Sequence, residues 1–112
     1  IAATVNPLPV DRLSQWSVAQ EGVEAAQLGD VDRLTQVSTS RADAEEVIVM
    51  FGFYSIAGPY RVSSCAVDGG GHHCQVASAS FLYCDVGSLE LTRSPSGQFS
   101  VSSYTPYLSC YD

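Results

Sequence analysis

The residues that could carry chemistry in this 112-residue chain include two cysteines and both histidines, placed close together. They are Cys65, His72, His73 and Cys74. Thiolates and imidazoles are zinc ligands, so a hairpin that gathered these side chains could hold a metal. The spacing contains no Cys-x-x-Cys pair, and adjacent histidines in a strand would point to opposite faces of the sheet. The pattern therefore favours a disulfide, with the histidines in a loop and no metal or other cofactor.

The first hairpin of the second half indicates which cysteines pair, because four cysteines alone permit three pairings. A turn centred between Gly69 and Gly70 places Cys65 directly opposite Cys74. Side chains at opposite positions of an antiparallel pair come close enough to be bridged. We therefore expect a disulfide between these two cysteines.

The remaining cysteines, Cys84 and Cys110, are then expected to form a second disulfide. The same construction about the turn at residues 94–97 places Cys84 near Tyr107. Cys110 comes within reach of Cys84 if the tail folds back. Two disulfides in so short a chain indicate an oxidising compartment. The protein is thus expected to be secreted or to lie on the extracytoplasmic side of a cell envelope.

Nucleophilic or acid–base catalysis has little support among the other polar residues. An activated serine needs a neighbouring histidine and an orienting acid, yet both histidines stand at one hairpin tip. The acids of the second half are Asp68 and Asp85, in predicted turns, and Glu90, whose neighbours are polar. No catalytic residue is assigned. Four tyrosines could donate hydrogen bonds into a pocket or interface, although buried tyrosines usually pair with the backbone and core packing is favoured: Tyr54, Tyr60, Tyr83 and Tyr104.

The second half of the chain is predicted to form the sheet that positions these residues. Four runs with alternating polarity are separated by turn residues such as the pair Cys84-Asp85 and the segment 94–97. They predict an antiparallel meander of four strands, at residues 60–67, 73–83, 86–93 and 98–105.

The first half is predicted to be helical. Residues 11–28 carry an apolar stripe that includes Leu13, Trp16, Ala19, Val23 and Ala26, so this helix should cover the sheet and bury Trp16. Alternatively, if the helix docks a partner, Trp16 is an exposed pocket or interface residue. Gly29 should end the helix, and Asp30 should cap a short second helix in which Val31, Leu34 and Val37 share a face. Residues 47–51 have the β-branched density of a buried strand, yet the acidic residues before them favour a helix.

Length and charge limit the classes of partner. The chain is long enough for one domain, at residues 10–112, preceded by an extended arm or linker at residues 1–9. Twelve acidic residues, five arginines and no lysine give a net charge of −7, which repels nucleic acid. The longest apolar run is too short to insert into a membrane. Because the chain begins at Ile1, a signal peptide or anchor could have been removed.

The order of three helices and then a disulfide-bridged meander resembles the cystatin-like fold, and within it the small NTF2-like domains of secreted or membrane-anchored bacterial proteins. The resemblance covers residues 10–105 and includes the helix-Gly-Asp-helix junction AAQLGDVDRL at residues 25–34. It implies an α+β domain with helices packed on a four-stranded antiparallel sheet. Five arginines beside no lysine, with many Ala, Val and Gly, suit a high-GC bacterial source.

The resemblance also sets the functional expectations. The positions that carry catalytic carboxylates in NTF2-like isomerases have no counterpart here, so a non-enzymatic binding or accessory module is expected, with a protein partner in a cell-envelope assembly. The alternatives are a module for a small apolar ligand or an isomerase or lyase of the ketosteroid-isomerase type. The cysteine spacing is similar to that of secreted cystatins, but residues 75–78 read QVAS where those inhibitors carry Gln-x-Val-x-Gly, so protease inhibition is a weak alternative.

Overall fold

The computed structural model describes residues 15–52, 59–68, 71–78 and 84–110. In that part of the chain, three helices precede a four-stranded antiparallel sheet whose strands lie in sequence order. The predicted α+β class and the meander are confirmed. The elements are α1 Gln15–Leu28, α2 Val31–Thr35, α3 Arg41–Phe51, β1 Tyr60–Asp68, β2 Gly71–Ser78, β3 Cys84–Arg93 and β4 Phe99–Cys110.

The helix boundaries follow the capping residues. Gly29 has a φ of 67°, a left-handed conformation that glycine adopts without steric cost, and α1 ends just before it. The Asp30 side chain accepts a hydrogen bond from the Arg33 N–H at 3.1 Å and caps α2. Ser40 caps α3 in the same way through the Asp43 N–H. The segment 47–51 is therefore helical, as the capping pattern predicted.

The core lies between the helices and one face of the sheet. α1 packs along β1, and α3 packs along β4. A Cβ atom at Gly22 would lie 3.0 Å from the Val101 side chain, so a small residue lets α1 approach β4 closely. The largest fully buried side chains are branched aliphatic residues from helices and strands alike: Val18, Val23, Leu34, Val47, Val62, Val76, Leu89 and Val101.

The predicted burial of Trp16 is wrong. Its side chain is 45% exposed, whereas Val18 and Ala19 on the same helix are fully buried. Gly22 lies near the middle of the buried face of α1. Because each residue turns the helix by about 100°, Trp16 lies about 120° around the helix from Gly22. The buried face consists mainly of small residues, because only they allow close contact with the sheet. Leu13 and the start of the predicted helix at Asp11 lie outside the described residues.

Three strand predictions need correction. Cys84 and Asp85 do not form a turn, because β3 begins at Cys84. His72 and His73 are not loop residues, since both belong to β2 and pair with β1. The tail does not fold back, because β4 continues past Pro106 to Cys110. In the second strand, residues 79–83 lie outside the described part of the chain.

The register of the last hairpin explains the position of Cys110. β4 places 12 residues opposite the 10 residues of β3, and the register shifts at two points. The two extra residues form bulges, each of which moves the pairing along by one position. The observed connection, which pairs Arg93 with Phe99, shifts the register by one further position relative to a turn at residues 94–97. Cys84 therefore lies directly opposite Cys110 rather than near Tyr107.

Candidate binding groove

A groove of about 450 Å³ lies between α1 and α2. The chain turns at Gly29 and Asp30, so α2 packs beside α1. The groove has an apolar end, with Trp16 and Val37, and an acidic end, with Glu21 and Glu24. Its lining residues are Trp16, Ser17, Gln20, Glu21, Glu24, Arg33, Gln36 and Val37.

Trp16 is the largest side chain of the groove and is 45% exposed. Within the described part of the chain, its indole has no hydrogen bond and no aromatic contact. An indole is a large apolar surface with one N–H donor, and removing it from water is favourable. Trp16 therefore exposes a large apolar surface that a second molecule could cover.

Arg33 organises the acidic end of the groove. Its Nε and Nη2 atoms donate to the two carboxylate oxygens of Glu21 at 2.5 and 2.8 Å, and Nη2 also donates to Glu24 at 3.1 Å. The hydrogen bond from Arg33 lowers the pKa of the Glu21 carboxyl below its ordinary value. Two carboxylates and one guanidinium leave this end with a formal charge of −1.

Gln20 ties the acidic end to the sheet. Its Nε2 atom donates to the second oxygen of Glu24 at 3.2 Å, and its Oε1 atom accepts from the Val62 N–H at 2.9 Å. The Glu24 carboxylate thus has a donor on each oxygen, while its side chain remains 49% exposed. The groove therefore presents a fixed carboxylate to solvent rather than a mobile one.

Tyr60 and Tyr104 belong to an aromatic cluster instead. The Phe51 ring lies 5.7 Å from the Tyr60 ring and 4.2 Å from the Tyr104 ring, measured between centroids. The Tyr104 hydroxyl donates to the Val86 carbonyl at 2.9 Å, and burial raises the pKa of this phenol. This is the packing arrangement that the sequence favoured. The other two predicted tyrosines, Tyr54 and Tyr83, lie outside the described residues.

Tyr60 also lines a second, smaller cleft of about 290 Å³. The cleft lies at the C-terminal ends of α1 and α3, and the exposed side chain of Leu28 forms part of its wall. Burial raises the pKa of the Tyr60 phenol. The Gln27 side chain in the cleft is engaged with the Tyr60 backbone, so its polar atoms are already used.

The carboxylates of the sheet lie apart from the two clefts. Asp85, predicted in a turn, is only 5% exposed in β3 and accepts a hydrogen bond from the Ser63 hydroxyl at 3.2 Å. Glu90 lies between the core residues Leu89 and Leu91 in β3. It is paired with His73 of the neighbouring strand β2. The Tyr104 hydroxyl is bonded to the backbone. An isomerase would need a carboxylate and a tyrosine directed into one cavity, and neither of the two clefts described above has both in its lining.

Both predicted disulfides are confirmed. Cys65 is bonded to Cys74, and Cys84 is bonded to Cys110. Two disulfides fit an oxidising, extracytoplasmic setting. Among residues 15–52, 59–68, 71–78 and 84–110, no cluster of three or more His, Cys, Asp or Glu residues could hold a metal ion. None of the helices in those ranges is long and apolar enough to cross a membrane.

Sequence reasoning did not identify the groove, although one signal was available. Gln20 and Glu24 follow Trp16 at intervals of four residues, which aligns all three along one side of α1. The apolar stripe of the first helix, considered without these polar residues, places Trp16 in the core. Comparisons with protein families, with curated proteins and with solved structures found no match to the chain. The NTF2-like resemblance therefore stays a prediction.

Proposed function

We propose that this chain is a non-enzymatic, extracytoplasmic binding or accessory module that docks a protein partner in the groove between α1 and α2. The observation that carries the proposal is the exposed indole of Trp16 at the apolar end of the groove. Tryptophan is the residue most enriched among those that dominate binding energy at protein interfaces. A partner that covered this indole would gain from its burial, whereas the isolated domain leaves it in water.

The remaining features support a module that works beside other proteins of a cell envelope. The disulfides Cys65–Cys74 and Cys84–Cys110 suit a secreted domain, and the net charge of −7 disfavours nucleic acid as the partner. The element order supports an NTF2-like domain of the cystatin-like fold, of the secreted or membrane-anchored bacterial type. Such a domain would present a helical surface to its assembly.

Site-specific photocrosslinking tests the proposal. A photoreactive amino acid at Gln36, an exposed residue of the groove, should form a protein crosslink in cells of the source organism. The same probe at Glu45, exposed on α3, is the matched control and should give no such crosslink. Trp16→Ala should abolish the crosslink from Gln36 without unfolding the domain. Equal crosslinking from both positions, or crosslinking that persists in Trp16→Ala, would overturn the groove as the docking site.

A further inference from the structure

From the charge and geometry of the groove, we infer that the partner inserts a segment carrying an apolar side chain over Trp16 and an arginine at Glu24. This inference rests on the proposed docking function and adds the chemistry of the partner. A groove with an apolar end and an acidic end selects a ligand with the complementary polarity.

The acidic end can accept a cation because its carboxylates are not saturated. A carboxylate has about four lone-pair positions, and the two hydrogen bonds from Arg33 and Gln20 use only two of those on Glu24. These bonds also hold the oxygens in place, so an incoming guanidinium does not have to order the glutamate. Since the end carries two carboxylates against one arginine, adding a positive charge neutralises the site.

The spacing between the two ends defines the length of the segment. Trp16 and Glu24 are eight positions apart on α1, which corresponds to about 12 Å along the helix axis. In an extended peptide, side chains four positions apart are separated by about 13 Å. An extended segment with a leucine and an arginine separated by three residues therefore matches the groove.

Arginine is favoured over lysine at this position. Its planar guanidinium can form two parallel hydrogen bonds with a carboxylate, whereas the lysine ammonium acts as a single point charge. Arg33 already forms two such hydrogen bonds with the carboxylate of Glu21. The partner's arginine would thus extend an existing row of alternating charges.

The inference can be tested with a synthetic probe. The probe is a capped Gly/Ser peptide in which leucine and arginine are separated by three residues, titrated to millimolar concentration into isotope-labelled protein and followed by NMR. It should shift the Trp16 indole resonance and the Gln20 side-chain amide resonance together. A peptide with glutamate in place of arginine is the first control and should bind more weakly.

A substitution that removes the charge of Glu24 tests the contact between this residue and the arginine of the peptide. Glu24→Gln should weaken binding of the arginine peptide on the order of threefold, as expected for one partly exposed ion pair. It should not weaken binding of the glutamate peptide, because the substitution removes a like charge. Glu45→Gln on α3 is the matched control and should bind like the unmodified protein. Equal binding of the two peptides, or no shift at Trp16 and Gln20, would refute the inference. If crosslinking from Gln36 then still depended on Trp16, the docking function would stand and only the partner chemistry would fail.

Discussion

At the scale of the residue, the aromatic side chains of Tyr104 and Trp16 have opposite roles. Tyr104 is 6% exposed, and the space for its hydroxyl exists because Gly87 has no side chain. A Cβ atom at Gly87 would lie 2.1 Å from that hydroxyl, so this glycine is required by packing. Trp16 instead faces the groove. The surroundings of each aromatic residue, and not its size, decide whether it supports the fold or a contact surface.

The first prediction concerns the stability cost of removing Trp16. Trp16→Ala should lower the free energy of unfolding by less than about 1 kcal/mol, because nearly half of the side chain is already in water. Val23→Ala, at a fully buried position of the same helix, should cost about 2 to 3 kcal/mol. Urea unfolding of both variants provides the measurement. A cost for Trp16→Ala equal to that of Val23→Ala would show that the indole belongs to the core.

The second prediction concerns the pH dependence of the Glu21–Arg33 ion pair. Arg33 lowers the pKa of folded Glu21 from its ordinary value of 4.5, so ionised Glu21 stabilises the fold above that pH. The stabilisation is lost as pH falls through the lowered pKa, because the protonated acid no longer pairs with Arg33. Since the pair is partly exposed, solvent screening keeps its contribution to stability small.

Glu21→Gln measures this contribution. Unfolding experiments should find the variant less stable than the unmodified chain near neutral pH. The difference should shrink as pH falls through the lowered pKa of Glu21 and vanish at lower pH, where both chains carry a neutral side chain at this position. A stability difference that stays constant over the whole range would mean that the charge of Glu21 is not its cause.

At the scale of the element, α1 protects the outer edge of β1 with glutamine side chains. Gln27 donates to the Tyr60 carbonyl at 3.1 Å and accepts from the Tyr60 N–H at 2.6 Å. Gln20 accepts from the Val62 N–H at 2.9 Å. These backbone groups point away from β2 and would otherwise form an open edge available to another chain. The α1 helix therefore covers the edge of β1 at which a fifth strand could otherwise pair.

The other edge of the sheet is covered by a different device. The Val101 N–H donates to the Val37 carbonyl at 2.7 Å, and the Thr39 N–H donates to the Val101 carbonyl at 2.9 Å. The connection between α2 and α3 thus forms a short parallel bridge with β4. Further along β4, Pro106 has no N–H to offer, a common feature of edge strands. Both edges are blunted within the part of the chain that the structure describes.

The third prediction tests the glutamine contacts. Gln27→Leu removes two hydrogen bonds to Tyr60 and should lower the free energy of unfolding by about 1 to 3 kcal/mol. The Tyr60 amide hydrogen should exchange with solvent faster, as measured by hydrogen–deuterium exchange. Gln36→Leu, at an exposed position in the groove, is the control and should leave that exchange rate unchanged. Unchanged exchange at Tyr60 in Gln27→Leu would contradict the edge-protecting role.

At the scale of the whole molecule, the disulfides join the sheet at different places. Cys65–Cys74 bridges the first hairpin over a separation of 9 residues, and Cys84–Cys110 joins the start of β3 to the end of β4 over 26 residues. A single small core provides a limited margin of stability, so covalent links that restrict the unfolded chain are valuable. Because the Cys84–Cys110 disulfide closes the longer loop, it restricts the unfolded chain more than the Cys65–Cys74 disulfide does.

The fourth prediction compares the two disulfides. Loop entropy assigns about 3.5 kcal/mol to Cys84–Cys110 and about 2.7 kcal/mol to Cys65–Cys74. The double variant Cys84→Ser with Cys110→Ser should therefore lose more unfolding free energy than Cys65→Ser with Cys74→Ser. Calorimetry or urea unfolding measures both, and the mass of the unreduced, unmodified protein should be lower by four hydrogens than that of the reduced chain. The reverse order of stability would show that local packing around the sulfur atoms outweighs loop entropy.

The amino-acid sequence determined the features that depend on neighbouring residues. Gly29 and Asp30 define the junction of two helices through their own backbone preferences and hydrogen bonds. The Cys65–Cys74 bridge follows from the symmetry of one short turn, which fixes the register of its two strands. The helix–strand order was predictable for the same reason, because capping and alternation act within a few residues.

The tertiary structure decided whatever depends on contacts between distant segments. The bulges that bring Cys110 opposite Cys84 reflect how β4 fits its neighbours, and no local pattern marks them. The orientation of α1 is set by how closely its small residues can approach the sheet, and this leaves Trp16 exposed. The groove exists only because Arg33 on α2 meets Glu21 and Glu24 on α1. Hydrophobic periodicity predicts which face of a single helix is buried. A groove between two helices depends on the relative positions of both helices, which periodicity does not give.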